Sequence, residues 1–318
     1  METVTKNILV TGVGGPAGIN TARLLKQENG VHVVGCDIDE NSTGKFFVDI
    51  FLICPRASDG PLYEKWIRET VEKYTIDVLI PTVHDELPVL STFCDDLPCE
   101  VIISKSDVIS LGDDKKLTYE WAAIHLPHNI IRNVLLSEWT EAWSSDNEQF
   151  IKPRKGRGAR GCKVVTKDEL VWLKAHTKDT DSYIVMENMP GTEWTVDAYV
   201  GRDGALVYAV ARERMGLAGG ISIKGRTVQN KAVLDATKTM LDALQCRGPV
   251  CIQWKEDREG TPRLIEINPR LSGGLLISVH AGVNPISNIL KEHKGEKLER
   301  QEWNEVTVLG YYEYTLSK

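Results

Sequence analysis

Two stretches of the sequence hold residue types at spacings that can do chemistry. The first is Phe150–Lys163, FIKPRKGRGARGCK. It carries Lys152, Arg154, Lys155, Arg157, Arg160 and Lys163 and no acid. Gly156, Gly158 and Gly161 are interleaved, so backbone N–H groups can turn toward an anion that the cations neutralise. No Gly-Lys-Ser/Thr follows, which sets the loop apart from a strand–loop–helix P-loop. No aromatic residue interleaves to stack on bases. The reading favoured is a triphosphate clamp, against a nucleic-acid patch or a solvated loop. The second stretch is Leu264-Ile265-Glu266-Ile267-Asn268. Period two puts Glu266 and Asn268 on one strand face, about 6.5 Å apart. In Val250–Lys255, Val250, Ile252 and Trp254 take one face and Gln253 the other. A hairpin would set Gln253 before Glu266 and Asn268. A carboxylate in an apolar strand is costly unless paired or metal-bound. Three hard oxygen ligands suit Mg²⁺ bridging phosphates; the alternative is a sheet face that meets solvent.

A third pattern competes with these. Gly12, Gly14, Gly15 and Gly18 follow an apolar run, and Asp37 ends the next one. This is the outline of a dinucleotide fingerprint and would make the chain an NAD(P)-dependent oxidoreductase. Any tight strand-to-helix turn also favours glycine. The one Tyr-x-x-x-Lys pair of a hydride-transfer enzyme, Tyr314 and Lys318, lies at the last residues.

The elements that must position these residues fall into two halves. Strands are predicted at Asn7–Val10, Val31–Asp37, Val48–Cys54, Val78–Val83 and Val101–Ser104, with helices Pro16–Asn29, Leu62–Tyr74 and Asp85–Phe93 between them. Runs such as VLIPTV are apolar on both faces, as in parallel strands covered by helices. This is an open α/β Rossmann-like domain. After Ser104 the pattern becomes α+β. A turn at LGDD precedes a helix Asp114–His125, and strands follow near Ile130 and at Phe150–Pro153 and Cys162–Val165. A helix Lys167–Ala175 leads to strands Tyr183–Glu187, Trp194–Val200 and Ala205–Val210. A helix Ala232–Leu244 then precedes the hairpin Val250–Lys255 and Arg263–Asn268. Val306–Leu316 closes the chain as a strand. The predicted division is residues 1–104, 105–300 (a lid lobe of about 120–188 and a C-terminal lobe of about 189–300) and a strand extension, 301–318.

Composition bounds the function. The chain has 318 residues, 42% hydrophobic and 26% charged, with 38 Lys plus Arg against 45 Asp plus Glu and a net charge of −7. That is a globular protein, and its charge disfavours nucleic-acid or anionic-membrane partners. No apolar run is long enough to span a bilayer, and the start does not read as a signal peptide. The seven cysteines, scattered without a Cys-x-x-Cys pair, suggest reduced, mainly structural thiols and a cytoplasmic setting.

Together these features resemble the ATP-grasp superfamily, most closely its carbamoyl-phosphate-synthase large-subunit-like branch in single-module form. The resemblance spans roughly residues 7–295. It implies a pre-ATP-grasp Rossmann-like domain followed by a two-lobed α+β ATP-grasp domain. It implies that Lys115, in GDDKKLTYEWA, and Lys152 reach the nucleotide phosphates. Arg154, Gly156, Gly158, Arg160 and Gly161 would close over the triphosphate. In YIVMENMPGTEWTVD, Glu187, Asn188 and Met189 would meet adenine and Glu193 the ribose. Gln253, Glu266 and Asn268 would hold two Mg²⁺, with Mn²⁺ as a substitute. Arg270, Lys152 and Arg160 would be catalytic, Arg270 meeting the transferred phosphate. Arg212, Arg214, Lys224 and Arg226, around a mobile-looking Gly219-Gly220 turn, would join Arg270 in holding a carboxylate substrate. The implied activity is an ATP-dependent ligase: a carboxylate becomes an acyl phosphate, then an amine or other nucleophile displaces phosphate. Its partners would be small molecules, with a homodimer allowed. A non-catalytic nucleotide-binding protein of the same fold is the remaining alternative.

Overall fold

The computed structural model describes residues 5–156 and 158–309. It opens with a parallel sheet of β1 Lys6–Thr11, β2 Val31–Asp37, β3 Ile50–Ile53, β4 Val78–Ile80 and β5 Glu100–Val101, in the order β3-β2-β1-β4-β5. The helices α1 Pro16–Leu25, α2 Pro61–Lys73 and α3 Leu87–Leu90 connect them. Alternate residues of β1 go to opposite faces: Ile8 and Val10 join one core, Leu9 the other. The connections reverse direction between β1 and β4, which opens a crevice at the carboxyl ends of those two strands.

Two predictions change here. The helix expected over Asp85–Phe93 is a 3₁₀ turn, His84–Glu86, followed by the four-residue α3. Pro88 has no N–H to give the preceding turn, and the Glu86 carboxylate accepts from the Val83 N–H at 2.8 Å. The turn expected at LGDD is the end of a helix, α4 Ser106–Asp113, and α5 Lys115–His125 follows it directly. Gly112 belongs inside α4 because a Cβ there would come within 2.8 Å of the Pro269 ring. Asp114 caps α5 by accepting from the Lys116 N–H at 3.0 Å.

A four-stranded antiparallel sheet comes next, from β6 Asn133–Leu135, β7 Glu148–Pro153, β8 Lys163–Thr166 and β9 Tyr183–Glu187, in the order β6-β9-β7-β8. The helix α6 Lys167–His176 starts on a reciprocal cap between Thr166 and Glu169. The strand expected near Ile130 forms three residues later, as β6.

The third sheet is β14-β13-β10-β11-β12-β15, from β10 Glu193–Val200, β11 Leu206–Ala218, β12 Ile221–Thr227, β13 Gly248–Glu256, β14 Pro262–Asn268 and β15 Thr307–Val308. The helices α7 Lys231–Leu244, α8 Leu275–His280 and α9 Pro285–His293 accompany it. Here β11 overruns its predicted end at Val210 by eight residues, and β12 was not anticipated. The stretch read as a mobile, charged turn is a β-hairpin, irregular between Arg214 and Leu217. Its charged residues hid the alternation. The helices α8 and α9 were also missed. Of the closing strand, Thr307–Val308 pairs with β12; residues 310–318, including Tyr314 and Lys318, lie outside the described residues.

One apolar core joins the first sheet to the third. Ile8, Val10, Leu24 and Leu25 pack with Tyr199, Val207, Leu271, Leu275 and Ile286. That contact packs the first sheet and α1 against β10, β11, α8 and α9. Among the described residues no helix is long and apolar enough to cross a membrane.

Candidate active site

The three sheets enclose a cleft of about 1200 Å³. Its walls come from the Gly12–Ala17 loop, the Thr82–Glu86 segment, the lid sheet and the inner face of the large sheet. The β13–β14 ladder sets Gln253 opposite Glu266 and Cys251 opposite Asn268. All three expected metal ligands line the cleft. Among the described residues the Glu266 carboxylate makes no hydrogen bond or ion pair, and no group of three or more His, Cys, Asp or Glu gathers anywhere. The donor set is therefore one carboxylate and two amide oxygens. It is hard and oxygen-only, which fits Mg²⁺ with phosphate oxygens completing the shell.

Two ammonium groups face this carboxylate. Lys152 is 3% exposed and Lys115 is 6% exposed. Lys152 Nζ donates to the Ile265 carbonyl at 3.1 Å and lies 5.1 Å above the Tyr119 ring. Lys115 Nζ donates to the Gly156 carbonyl at 2.9 Å. Neither has a carboxylate partner within ion-pair distance among the described residues. Burial, opposed by Glu266, pulls the Lys152 ammonium down to about 8. Burial also lowers Lys115. Buried cations without an ion-pair partner are costly, and an anionic ligand beside them would relieve that cost.

The roof is made by two loops that touch. A Cβ on Gly220 would lie 3.1 Å from the Gly158 carbonyl carbon, and one on Gly158 3.6 Å from the Gly219 oxygen. Gly156, Gly158, Arg160, Cys162, Gly219 and Gly220 line the cleft beneath. Arg154 does not. Its guanidinium is held by Asp114, Nε to Oδ1 2.7 Å, and Lys155 is held by Asp113 at 2.7 Å. These two cations anchor the root of the loop to the α4–α5 junction, where sequence reading set Arg154 over the triphosphate. Arg157 lies outside the described residues. At the far end, Glu187, Asn188, Met189 and Glu193 line the cleft. Glu193 Oε1 is 2.9 Å from Arg214 Nε, although that N–H is not aligned on it.

The arginines divide. Arg212 and Arg214 line the cleft, and Arg270 stands beside Asn268. Arg212 is already neutralised: its Nε meets Asp197 Oδ2 at 2.8 Å, and Nη2 meets Ser272 Oγ at 3.1 Å. Burial alone would raise the Asp197 carboxyl, but Arg212, Ser278 and Ser272 hold it below its ordinary value. Lys224 and Arg226, expected at the substrate, are exposed on the outer side of β12, and Arg226 pairs with Glu213 at 2.6 Å. The structure does not bring either to the cleft.

The cleft also collects buried polar atoms that have no partner. Ser42 Oγ, His84 Nδ1, Arg212 Nη1, Arg214 Nε, Ser222 Oγ and Arg270 Nε are unpaired, and all six residues line it; Thr21 Oγ1 is the remaining such atom among the described residues. Native proteins pair such groups, so this concentration marks where a ligand's polar groups belong. Sequence reading missed Ser42, His84 and Ser222. Cys54, Cys162 and Cys251, read as mainly structural thiols, are free and also line the cleft. The PTVHDE segment after β4, at the carboxyl edge of a doubly wound sheet, was the available signal for His84.

The first glycine loop is used differently. The Asp37 carboxylate, which a ribose would need, accepts from the Gly14 N–H at 2.7 Å and the Asp39 N–H at 3.1 Å. A Cβ on Gly18 would lie 2.3 Å from the Gly12 oxygen, and one on Gly44 1.8 Å from the Val13 oxygen. These glycines serve close packing.

Residues 179–313 match the family model described as ATP-grasp in the biosynthetic pathway with Ter operon. No curated protein matches the sequence significantly. Among solved structures, N5-carboxyaminoimidazole synthetase from Staphylococcus aureus, complexed with ADP, is similar with a TM-score of 0.76 at 15% identity, over 97% of this chain and 82% of that one. The biotin carboxylase domain dimer of Hydrogenobacter thermophilus 2-oxoglutarate carboxylase, in complex with MgADP, ADP and bicarbonate, has a TM-score of 0.74 at 14% identity, over 95% and 71% of the chains. L-amino acid ligase from Bacillus licheniformis has a TM-score of 0.68 at 14% identity, over 91% and 74%. The chain has the ATP-grasp fold, and its residues 179–313 carry the sequence match to an ATP-grasp family model.

Proposed function

We propose that the chain is an ATP-dependent carboxylate–amine ligase that forms an acyl phosphate and releases ADP and phosphate. The observation that carries this reading is Glu266, flanked by Gln253 and Asn268 and facing two buried lysines, none of the three in an ion pair among the described residues. Lys115 and Lys152 would hold the phosphates, and Glu187, Asn188 and Met189 would line the adenine end with Glu193 by the ribose. Glu266, Gln253 and Asn268 would hold two Mg²⁺, or Mn²⁺ in their place; bound there, the metal would neutralise the β and γ oxygens. Arg212 Nη1 and Arg270 Nε would supply N–H donors for the carboxylate as it attacks the γ-phosphorus, with Arg214, ion-paired to Glu193, adding charge beside them. Arg270 would stabilise the charge on the moving phosphoryl group. Arg160 and the glycines of the roof exclude water, which an acyl phosphate requires. The chain itself positions and neutralises, and little covalent work falls to it.

The reading includes the division near residues 104 and 188, the single-module carbamoyl-phosphate-synthase-like branch, a cytoplasmic setting and a homodimer. The test is ADP release at saturating MgATP from small carboxylic acids crossed with amines. Release that needs both an acid and an amine supports the ligase. Equal release with neither, or none with any pair, overturns it.

A further inference from the structure

The unpaired polar atoms of the cleft fall on two sides. Arg212, Arg214, Ser222 and Arg270 present donors from the ATP-grasp half. From the first domain comes a group that can accept, the imidazole of His84. His84 is 6% exposed and sits just past β4, at the crevice where the parallel sheet changes direction. In doubly wound sheets that crevice is where ligands bind. Its Nε2 lies 3.8 Å from Asp113 Oδ1. A proton on Nε2 then faces the carboxylate and leaves the Nδ1 lone pair free, without a protein partner. The charged groups whose fields reach the ring are Arg270 and Glu266 from the β14 end, Asp113 from α4 and Lys115 from α5. On the ligase reading these residues surround the phosphoryl-transfer end of the cleft, which would put the ring beside the acyl phosphate.

We propose that His84 is the acceptor-side catalytic residue of the ligase: the nucleophilic amine docks in the crevice between β1 and β4, and His84 Nδ1 takes its proton. The inference rests on the ligase reading. The neutral amine nitrogen attacks the carbonyl carbon of the acyl phosphate, and the C–N bond forms with the nitrogen lone pair. The C–O bond to phosphate breaks, and its electron pair leaves on the phosphate oxygen. One N–H proton passes to Nδ1 and then to the departing phosphate. Burial, followed by Arg270, holds the imidazole below its ordinary value, against Glu266 and Asp113. That direction favours the neutral ring, the form that can accept a proton. The same crevice carries the unpaired Ser42 Oγ, a second group for the amine substrate's polar atoms.

Hydroxylamine, which is neutral near pH 7 and strongly nucleophilic, and glycinamide serve as the two nucleophiles. They are offered with MgATP and a panel of amino acids and small organic acids. His84→Ala is expected to lower amide formation from glycinamide about 100-fold more than hydroxamate formation. Added imidazole should restore part of the loss, and the acid limb of the pH profile should disappear. His84→Asn is measured alongside as a variant of similar size, with melting midpoints for both. Equal losses with the two nucleophiles, or no rescue by imidazole, overturn the His84 role while leaving the ligase intact. No hydroxamate from the unaltered protein with any acid overturns the ligase reading itself, and this role with it.

Discussion

The two glycine loops use the same residue for opposite ends. In the first, Gly14 and Gly18 are glycine because neighbouring atoms already fill the place of a Cβ. Asp37 closes the turn by accepting from Gly14. In the second, Gly156, Gly158 and Gly161 have φ of 131°, 66° and 74°, and a Cβ there would meet nothing closer than 3.1 Å. Glycine is there for backbone conformation, not for space. The first loop is a packed joint on which a domain is built. The second is a roof whose root is tied by Arg154–Asp114 and Lys155–Asp113 and whose Gly156 and Gly158 lie over the cleft, while Gly161, expected over the triphosphate, packs by Pro153 instead. A glycine-rich pattern thus says little until its surroundings are known.

The largest effect that tests this contrast is on the strand beneath the roof. Glu266→Ala should cut ADP release by about 10³-fold or more, equivalent to about 4 kcal/mol of transition-state stabilisation, with an unchanged melting midpoint. Unaltered turnover would remove Glu266 from the chemistry and return the first loop to contention. Next is Gly18→Ala. Alanine normally favours a helix, but here its Cβ meets backbone. We expect a loss of about 1–3 kcal/mol in a denaturant titration; a neutral or stabilising result would show that the joint is looser than drawn. Gly158→Ala should cost no more than about 1–2 kcal/mol in stability, from its left-handed backbone, while raising the KM for MgATP several-fold. If stability falls far and KM does not move, the roof is a structural loop after all.

The smallest signal is a proton. Lys152, lowered by burial to about 8 from an ordinary 10.5, is half charged near pH 8. A bound triphosphate would raise it again, so calorimetry at pH 8 in buffers of different ionisation enthalpy should show uptake of about half a proton per site from this group. Lys152→Met should abolish that uptake. The sign for the free protein is opposite in origin. Between 8 and 10.5 the unfolded chain binds more protons than the folded one, so this group adds stability as pH rises through that window.

Much of the site was legible because its signals are local. Period two put Glu266 and Asn268 on one face, and the ladder sets Gln253 opposite Glu266. The basic loop announced itself by charge reversal within a net charge of −7. The parallel strands read clearly because both their faces are apolar. Other assignments failed where pairing lies far along the chain. Arg154 looks like any loop cation until α4 and α5 bring up Asp114. The charges of β11 and β12 look like a solvated turn until the large sheet places Arg212 and Arg214 inside and Lys224 and Arg226 outside.

The sequence by itself determined the parallel strands, the face shared by Glu266 and Asn268 and the cationic loop, since hydrophobic period, residue charge and glycine spacing are properties of neighbours along the chain. Only the tertiary structure decided which cations are free and which are spent, that Asp37 turns back on its own loop, and that His84 looks into the cleft with an unpaired nitrogen. Those outcomes depend on burial and on partners contributed by other elements, such as Asp114, Asp197 and Asp113, and no local pattern encodes which partner arrives.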